Sequence, residues 1–314
     1  MDLNNFISPS SKQKIIFDGN SLISTNGENF NIQNSIPRFV SLKNYSAAFG
    51  IQWNKFQKTQ LDSYTKTNIT EKRLQTAMGM PLTELRGKKI LEAGSGAGRF
   101  TEILLKHGAH VYSFDYSSAV EANFRNNMPN DNLTIFQADI KEIPFEDEFF
   151  DISLCLGVLQ HTPNTLESIK ELNRVLKRGG FLIIDHYKHH IGHYLSLYLV
   201  YWYLIKSLPK SIQVKVTNFL TRIFFPIHWC FRKNKIIQYI LRRISPISFY
   251  YGIFELSKEQ HFEWSMLDTH DKNTDYYKRH YTRKKFNNLL KQNFNFASFE
   301  VYERGNGLEC IAIK

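Results

Sequence analysis

Between Lys88 and His186 the chain alternates short apolar runs with amphipathic stretches, and the first alternation turns through the decapeptide LEAGSGAGRF, Leu91 to Phe100. The runs KKILEAG, HVYSFDY, LTIFQAD, FFDISLCLG and GGFLIIDH read as buried strands. RFTEILLKHG, SSAVEANFRNN and TLESIKELNRVLKRGG read as the helices between them, the last closed by its glycine pair. Strands this short and this apolar, spaced by helices, satisfy their backbones as a parallel sheet covered on both faces. After the helix TRKKFNNLLKQ come FASFEVYE and LECIAIK, joined through Arg304-Gly305-Asn306-Gly307, where Asn306-Gly307 suits a tight reversal. The predicted fold is therefore α/β: a doubly wound, mostly parallel, seven-stranded sheet that ends in an antiparallel pair.

The glycine turn carries the chemistry. Gly94, Gly96 and Gly98 stand as G-x-G-x-G after a strand and before a helix. Without side chains, such a turn can pass close to a nucleoside and its tail, and the helix start offers free amides. The third glycine comes one residue too early for the dinucleotide pattern, and no Lys-Ser pair follows as in a P-loop. Asp115 ends the second strand, where a carboxylate can accept both hydroxyls of a ribose. Taken alone, such an acid is more often a helix cap before Ser117 than a ribose ligand. Asp139 ends the third strand beside the apolar Ile140, and Leu156 and Gly157 end the fourth, all at the carboxyl edge where open α/β sheets bind ligands.

These residues resemble the class I S-adenosylmethionine-dependent methyltransferases. The likeness runs through LEAGSGAGRF, the acid of SFDYS, QAD, FDISLCLGVLQHTPN and KELNRVLKRGGFLII, across residues 86–186. It implies the Rossmann-like methyltransferase fold and S-adenosyl-L-methionine as cofactor. It further implies that Glu92 contacts the cofactor's amino group indirectly and that Gly94, Gly96 and Gly98 surround its methionine part. Asp115, followed by Tyr116, would hold the ribose, Asp139 and Ile140 would frame the adenine, and Leu156 and Gly157 would line the same crevice. The flanks IPRFVSLKNYSAAFGIQWNKFQKTQLDS, EWSMLDTHD and ERGNGLECIAIK resemble a narrower bacterial, methyltransferase-11-like group. Relatives in that group often carry a cysteine-bearing ribbon at the start; residues 14–36 keep its tail without cysteines, so no metal is expected.

Outside the core, residues 1–36 read as an N-terminal arm, a degenerate ribbon with turns at Asp18-Gly19 and Asn26-Gly27. Residues 37–84 read as a helical lid, with Phe49, Trp53 and Phe56 at helical spacing, and residues 85–314 as the methyltransferase domain. Trp53 and Gln52 are candidates for closing over the cofactor. Within the domain, residues 186–254 form an aromatic and basic helical insert.

Charge is informative only once it is located. The net +11 sits almost wholly in that insert, which holds ten Lys/Arg and no acid, against 30 basic and 29 acidic residues elsewhere. Three readings fit it. A helical cap over the acceptor site would turn aromatics inward and lysines outward. Peripheral attachment to an anionic membrane, or to a lipid-linked acceptor, uses the same composition. Nucleic-acid binding would exploit the charge, but no recognised RNA-binding module accompanies it, and it is not expected. The uncharged stretch from His189 to Ile205 is short for a membrane span. Cys155, Cys230 and Cys310 have no paired spacing, and no secretory signal is visible at the start, so the expected setting is the cytoplasm, with peripheral contact at the inner membrane surface.

Methyl transfer from a sulfonium needs alignment of a nucleophile and exclusion of water; a base is required when the acceptor is a hydroxyl. His161, in LGVLQHTPN after the fourth strand, is the candidate base, with loop orientation or helix capping as the structural alternative. His186, Tyr187, His189, His190 and His193 lie after the fifth strand; they are better suited to lining an acceptor pocket than to holding a metal. The expected activity is methyl transfer to a small-molecule or lipid- or saccharide-linked acceptor. Competing readings are a nicotinamide-dependent oxidoreductase and a non-catalytic, membrane-associated assembly subunit.

Overall fold

The computed structural model describes residues 3–41, 44–190, 196–305 and 307–314. Four short strands open the chain: β1 (Ile15–Phe17), β2 (Ser21–Ser24), β3 (Asn29–Gln33) and β4 (Ile36–Pro37), paired antiparallel in that order. Helices α1 (Ala47–Lys55), α2 (Asp62–Thr65) and α3 (Ile69–Met78) follow. The alternating part then comprises β5 (Lys89–Ala93), α4 (Arg99–Lys106), β6 (His110–Asp115), α5 (Val120–Asn127), β7 (Leu133–Gln137), β8 (Phe150–Cys155), α6 (Thr165–Arg174) and β9 (Leu176–Tyr187). Helices α7 (Tyr198–Lys206), α8 (Lys210–Cys230), α9 (Lys235–Ile244), α10 (Lys258–Thr274) and α11 (Arg283–Asn293) precede β10 (Ser298–Tyr302) and β11 (Gly307–Ile313).

The main sheet has seven strands in the order β10-β11-β9-β8-β5-β6-β7. Strands β5 to β9 are parallel, and β11 is inserted antiparallel between β9 and β10. This is the doubly wound sheet with an antiparallel end that the sequence predicts. Side-chain alternation explains the two-sided covering. Ile90, Val111, Ile135 and Ile183 face a layer with Leu74, Met78, Leu104 and Val120, while Leu91, Phe114, Phe136 and Ile184 face the other with Leu172, Phe286 and Leu290. The strand order reverses between β5 and β8, so the loops after these two strands diverge and leave a crevice at their carboxyl ends.

The N-terminal strands cover an edge. Arg38, just after β4, bridges to Gln137 of β7; Phe39 N–H donates to the Gln137 carbonyl at 2.8 Å, and the Arg38 guanidinium reaches the Gln137 side chain at 3.0 Å. Phe6, Ile15, Leu22 and Phe39 join the core containing Phe136 and Phe145. Strand β7 is consequently buried along its whole length, although it is the last strand of its sheet. Covering an unpaired edge in this way removes a site for unwanted strand pairing.

Two features depart from the sequence reading. The glycine pair does not close α6. That helix ends at Arg174, and Gly179 and Gly180 lie inside β9, whose register against β8 jumps from Phe150–Leu176 to Ile152–Phe181. The loop this creates is pinned by the C-terminus: Gly179 N–H donates to the Lys314 carbonyl at 2.8 Å, and Lys314 Nζ donates to the Leu176 carbonyl at 2.7 Å. The second departure is α10, an unforeseen helix whose buried positions include Ser265, Thr269, His270 and Asn273.

Candidate active site

The site is built from the glycine turn outward. Gly98 caps α4 with φ +86°, and a Cβ there would lie 2.2 Å from Asn123 Oδ1. Gly96 has φ +53°, and its Cβ would sit 2.9 Å from the Trp53 ring of α1. Both positions thus exclude a side chain by conformation and by space. Beneath the turn, Glu92 accepts from Ser113 Oγ at 2.7 Å and from the Thr101 hydroxyl, and Asn123 Nδ2 donates to both hydroxyl oxygens. Burial pushes the Glu92 carboxyl up to about 7 against those hydrogen bonds, and its Oε1 is buried with no partner among the described residues.

The strand ends meet along one wall. A cavity of about 1750 Å³ is lined by Gly94, Gly96, Asp115, Tyr116, Asp139, Ile140, Leu156, Gly157 and His161. Nine of the eleven sequence-predicted site residues therefore share one space. Glu92 and Gly98 do not line it; they support the turn from behind. The Asp115 carboxylate accepts from Gly96 N–H at 3.0 Å and from Ser117 N–H and Oγ at 2.8 and 2.7 Å. It both ties the turn to β6 and caps toward Ser117, and burial raises its pKa above the usual range. Asp139 accepts from Lys141 N–H at 2.9 Å. Gly157 N–H donates at 2.6 Å to buried Asp185, which Arg73 of α3 pairs at 3.0 Å. From α1, Gln52 and Trp53 reach the same cavity, and Gln52 Oε1 is buried without a partner among the described residues.

The same cavity is lined by side chains from the turn after β8 and from the end of β9. His161 ends a short turn, Leu159–His161, after β8. Its Nδ1 lies 3.2 Å from the Tyr277 carbonyl and 3.4 Å from Asp275 Oδ2. Both neighbours accept, so Nδ1 carries the ring proton and Nε2 is the basic nitrogen of the neutral ring. Burial favours the neutral form, but Asp275 and Asp271 outweigh it and raise the His161 pKa. Asp275 is itself clamped by Trp202 Nε1 of α7 at 2.8 Å and Lys278 Nζ at 3.0 Å. Burial pushes the Asp275 pKa up, but Lys278 and His161 together outweigh it and keep it below the usual value. Tyr187 packs edge-on to the His161 ring, with centroids 5.4 Å apart, on the cavity wall.

Helix α10 contributes what sequence reasoning missed. Asp268 and Asp271, three residues apart and so on one helix face, line the cavity with Trp264, Lys272 and Lys278. Burial raises both carboxyls, Asp268 to about 7. A signal for this helix did exist: Ser257-x-x-Gln260 is a capping box, with Gln260 N–H donating to Ser257 Oγ at 3.2 Å and Ser257 N–H to Gln260 Oε1 at 2.9 Å. Arg99, first residue of α4, is a second omission, also on the wall. Of the candidate histidines, His190 lines the cavity, while His186 lies within β9, not after it, buried against Tyr281 and held near a pKa of 4 by burial. His193 lies outside the described residues. Among the described residues no group of three or more His, Cys, Asp or Glu is placed to hold a metal ion.

A family model for the methyltransferase domain matches residues 91–184, the stretch from β5 through most of β9. Over that stretch the chain is similar to the class I S-adenosylmethionine-dependent methyltransferases. The chain is 32% identical over 129 residues to the ubiquinone biosynthesis O-methyltransferase of Coxiella burnetii, covering 40% of this chain and 55% of that protein. It is 30% identical over 133 residues to the tRNA U34 carboxymethyltransferase of Nautilia profundicola, covering 41% of each. The chain thus spans little more than half the length of the first of these relatives. Magnesium protoporphyrin IX methyltransferase from Synechocystis PCC 6803 aligns over 85% of this chain and 94% of its own, at 15% identity and a TM-score of 0.44.

The donor set fits S-adenosylmethionine. A carboxylate at the end of β6, an acid with an apolar neighbour after β7 and an unpartnered buried Gln52 oxygen line one cavity with the glycine turn. These are acceptors for hydroxyls, an exocyclic amine and an ammonium, and Arg99 supplies a cation for a carboxylate.

Proposed function

We propose that the protein transfers a methyl group from S-adenosyl-L-methionine to a hydroxyl of a small-molecule or lipid- or saccharide-linked acceptor. The observation that carries this reading is that one cavity joins the glycine turn and Asp115 to the His161–Asp275 pair. S-adenosylmethionine, when bound, supplies a methyl group already activated on a sulfonium. Asp115 holds the ribose hydroxyls, Asp139 and Ile140 frame the adenine, and Arg99 and Gln52 take the ends of the amino-acid tail. His161 accepts the acceptor's hydroxyl proton on Nε2, and Asp275 stabilises the imidazolium that forms. Tyr187, Trp264, Asp268 and Asp271 present hydrogen-bonding edges and aromatic faces, the surface a polyhydroxylated or phenolic acceptor requires. The narrower methyltransferase-11-like assignment is supported by the match over residues 91–184.

Calorimetry with S-adenosylhomocysteine and S-adenosylmethionine, with NAD as the control, tests the cofactor. Saturable binding of the first two and none of NAD is expected; folded protein that binds neither sulfur compound overturns the reading. Labelled methyl transfer into fractionated cell extracts then identifies the acceptor.

A further inference from the structure

The insert is built inside out. In α8 the buried positions are Gln213, Thr217, Thr221, Phe225 and His228, and the polar ones bond within the protein. Thr217 Oγ1 lies 3.1 Å from His270 Nδ1 of α10, and His228 is held between Gln238 Oε1 at 2.9 Å and Ser245 Oγ at 3.0 Å. The apolar stripe of the same helix, Ile212, Phe219, Ile223 and Ile227, faces outward; Phe219 is 62% exposed. Helix α9 repeats the pattern: Gln238 is its buried residue, while Ile236, Ile240 and Ile244 stand four residues apart on an exposed stripe, Ile236 at 75%. Tyr203 and Leu204 of α7 are exposed as well. A water-facing helix normally shows the reverse arrangement.

Charge selects what covers this face. Lys215 and Arg222 flank Phe219 on α8, Lys235, Arg242 and Arg243 flank the isoleucines of α9, and residues 186–254 contain no acid. Apolar side chains ringed by cations, with tyrosines among them, are the composition of a helix lying in a lipid headgroup layer. A second copy of the chain would bring two uniformly positive faces together. Among the described residues no helix is long and apolar enough to cross a membrane.

We propose that the outer face of α7, α8 and α9 docks on an anionic bilayer surface, with the isoleucines and Phe219 in the acyl boundary and the lysines and arginines among the phosphates. Lys235, Tyr239, Arg242 and Arg243 also line the large cavity, so docking sets its mouth at headgroup level. The inference rests on the insert alone and does not depend on methyl transfer.

The test is co-sedimentation of the full chain with vesicles of phosphatidylcholine alone and of phosphatidylcholine with an equal part of phosphatidylglycerol. Binding to the anionic vesicles, weak binding to the neutral ones and release by salt are expected. Two double variants, Ile236→Ser/Ile240→Ser and Lys215→Glu/Arg222→Glu, change exposed residues only, and each is expected to lower the partition coefficient roughly tenfold or more. The proposal fails if the unaltered protein stays in the supernatant with anionic vesicles, or if both variants sediment like it. It also fails if sedimentation velocity shows a dimer that the isoleucine variant abolishes, because the face then belongs to a second copy.

Discussion

At the residue scale, the predicted cofactor wall is held by carboxylates already engaged with backbone. Asp115 bonds Gly96 N–H and Ser117 N–H while lining the cavity. Hydrogen bonds to a charged acceptor contribute about 1.5 to 3 kcal/mol each. Asp115→Asn is therefore expected to raise the Kd for S-adenosylhomocysteine about tenfold or more in calorimetry, and an unchanged Kd would remove Asp115 from ribose binding. His161 makes a pH prediction. Because Asp275 and Asp271 raise its pKa, the neutral, proton-accepting ring prevails only above the usual histidine value, so the methylation rate rises with pH through a midpoint above that value. Asp275→Asn removes the raising partner and moves the midpoint acidward as the plateau falls. His161→Ala is expected to lower the rate by about 10² to 10⁴. A variant series with unmoved midpoints would assign His161 to loop orientation instead. The glycines, Asp115, Asp139 and His161 were legible because their spacing from strand ends is local. Glu92 and Gly98 were legible as part of the motif, but their support of the turn from behind was not, since that depends on Asn123 and Ser113 brought up from other elements.

At the scale of elements, the parallel strands were readable because each is buried on both faces and so appears as an unbroken apolar run. Helix α10 was not, because its buried face includes the polar Ser265, Thr269, His270 and Asn273, of which Thr269, His270 and Asn273 bond Ser248, Thr217 and Pro246 from other elements. In α8, too, the buried positions include threonines and the apolar side faces outward. The expectation that the insert turns aromatics inward is met by Phe225, Trp229 and Phe249, which cluster together, and fails along α9. Helix α7 of the insert is tied to the His161 partner by Trp202 Nε1, which donates to Asp275 Oδ1 at 2.8 Å, and Lys206 Nζ donates to the neighbouring Tyr276 carbonyl at 3.0 Å. Trp202→Phe removes that donor at a cost of about 1 to 3 kcal/mol. Its expected signature is a several-fold lower kcat with an unchanged Kd for S-adenosylhomocysteine; equal losses in both would mean a general loosening of the fold.

At the scale of the whole molecule, buried ionisable groups oppose one another in their effect on stability. The Glu92 and Asp268 carboxyls, raised to about 7, favour the fold fully below their unfolded values and lose that contribution as pH rises toward 7. His186 and His270, lowered to about 4 by burial, act in the other direction: their contribution is present above the ordinary histidine value and is lost as pH falls. These opposing contributions overlap, and a difference measurement isolates one group. Glu92→Gln is expected to match the unaltered protein near pH 5 and to exceed it near pH 8, by on the order of 2 kcal/mol in urea unfolding. Equal stability at both values would show that Glu92 stays ionised in the fold.

The sequence by itself determined the sheet, its winding and the glycine-led crevice, because apolar runs, turn glycines and strand-end acids act through neighbours close in the chain. Only the tertiary structure decided which other side chains meet in that crevice. Asp275 reaches His161 across more than a hundred residues, and α10 brings its carboxylates there from outside the core motif. Only the structure decided, too, which way the basic insert faces. Its composition is the same whether the aromatics point in or out, and the buried hydrogen bonds of Thr217, His228 and Gln238 hold the polar side inward.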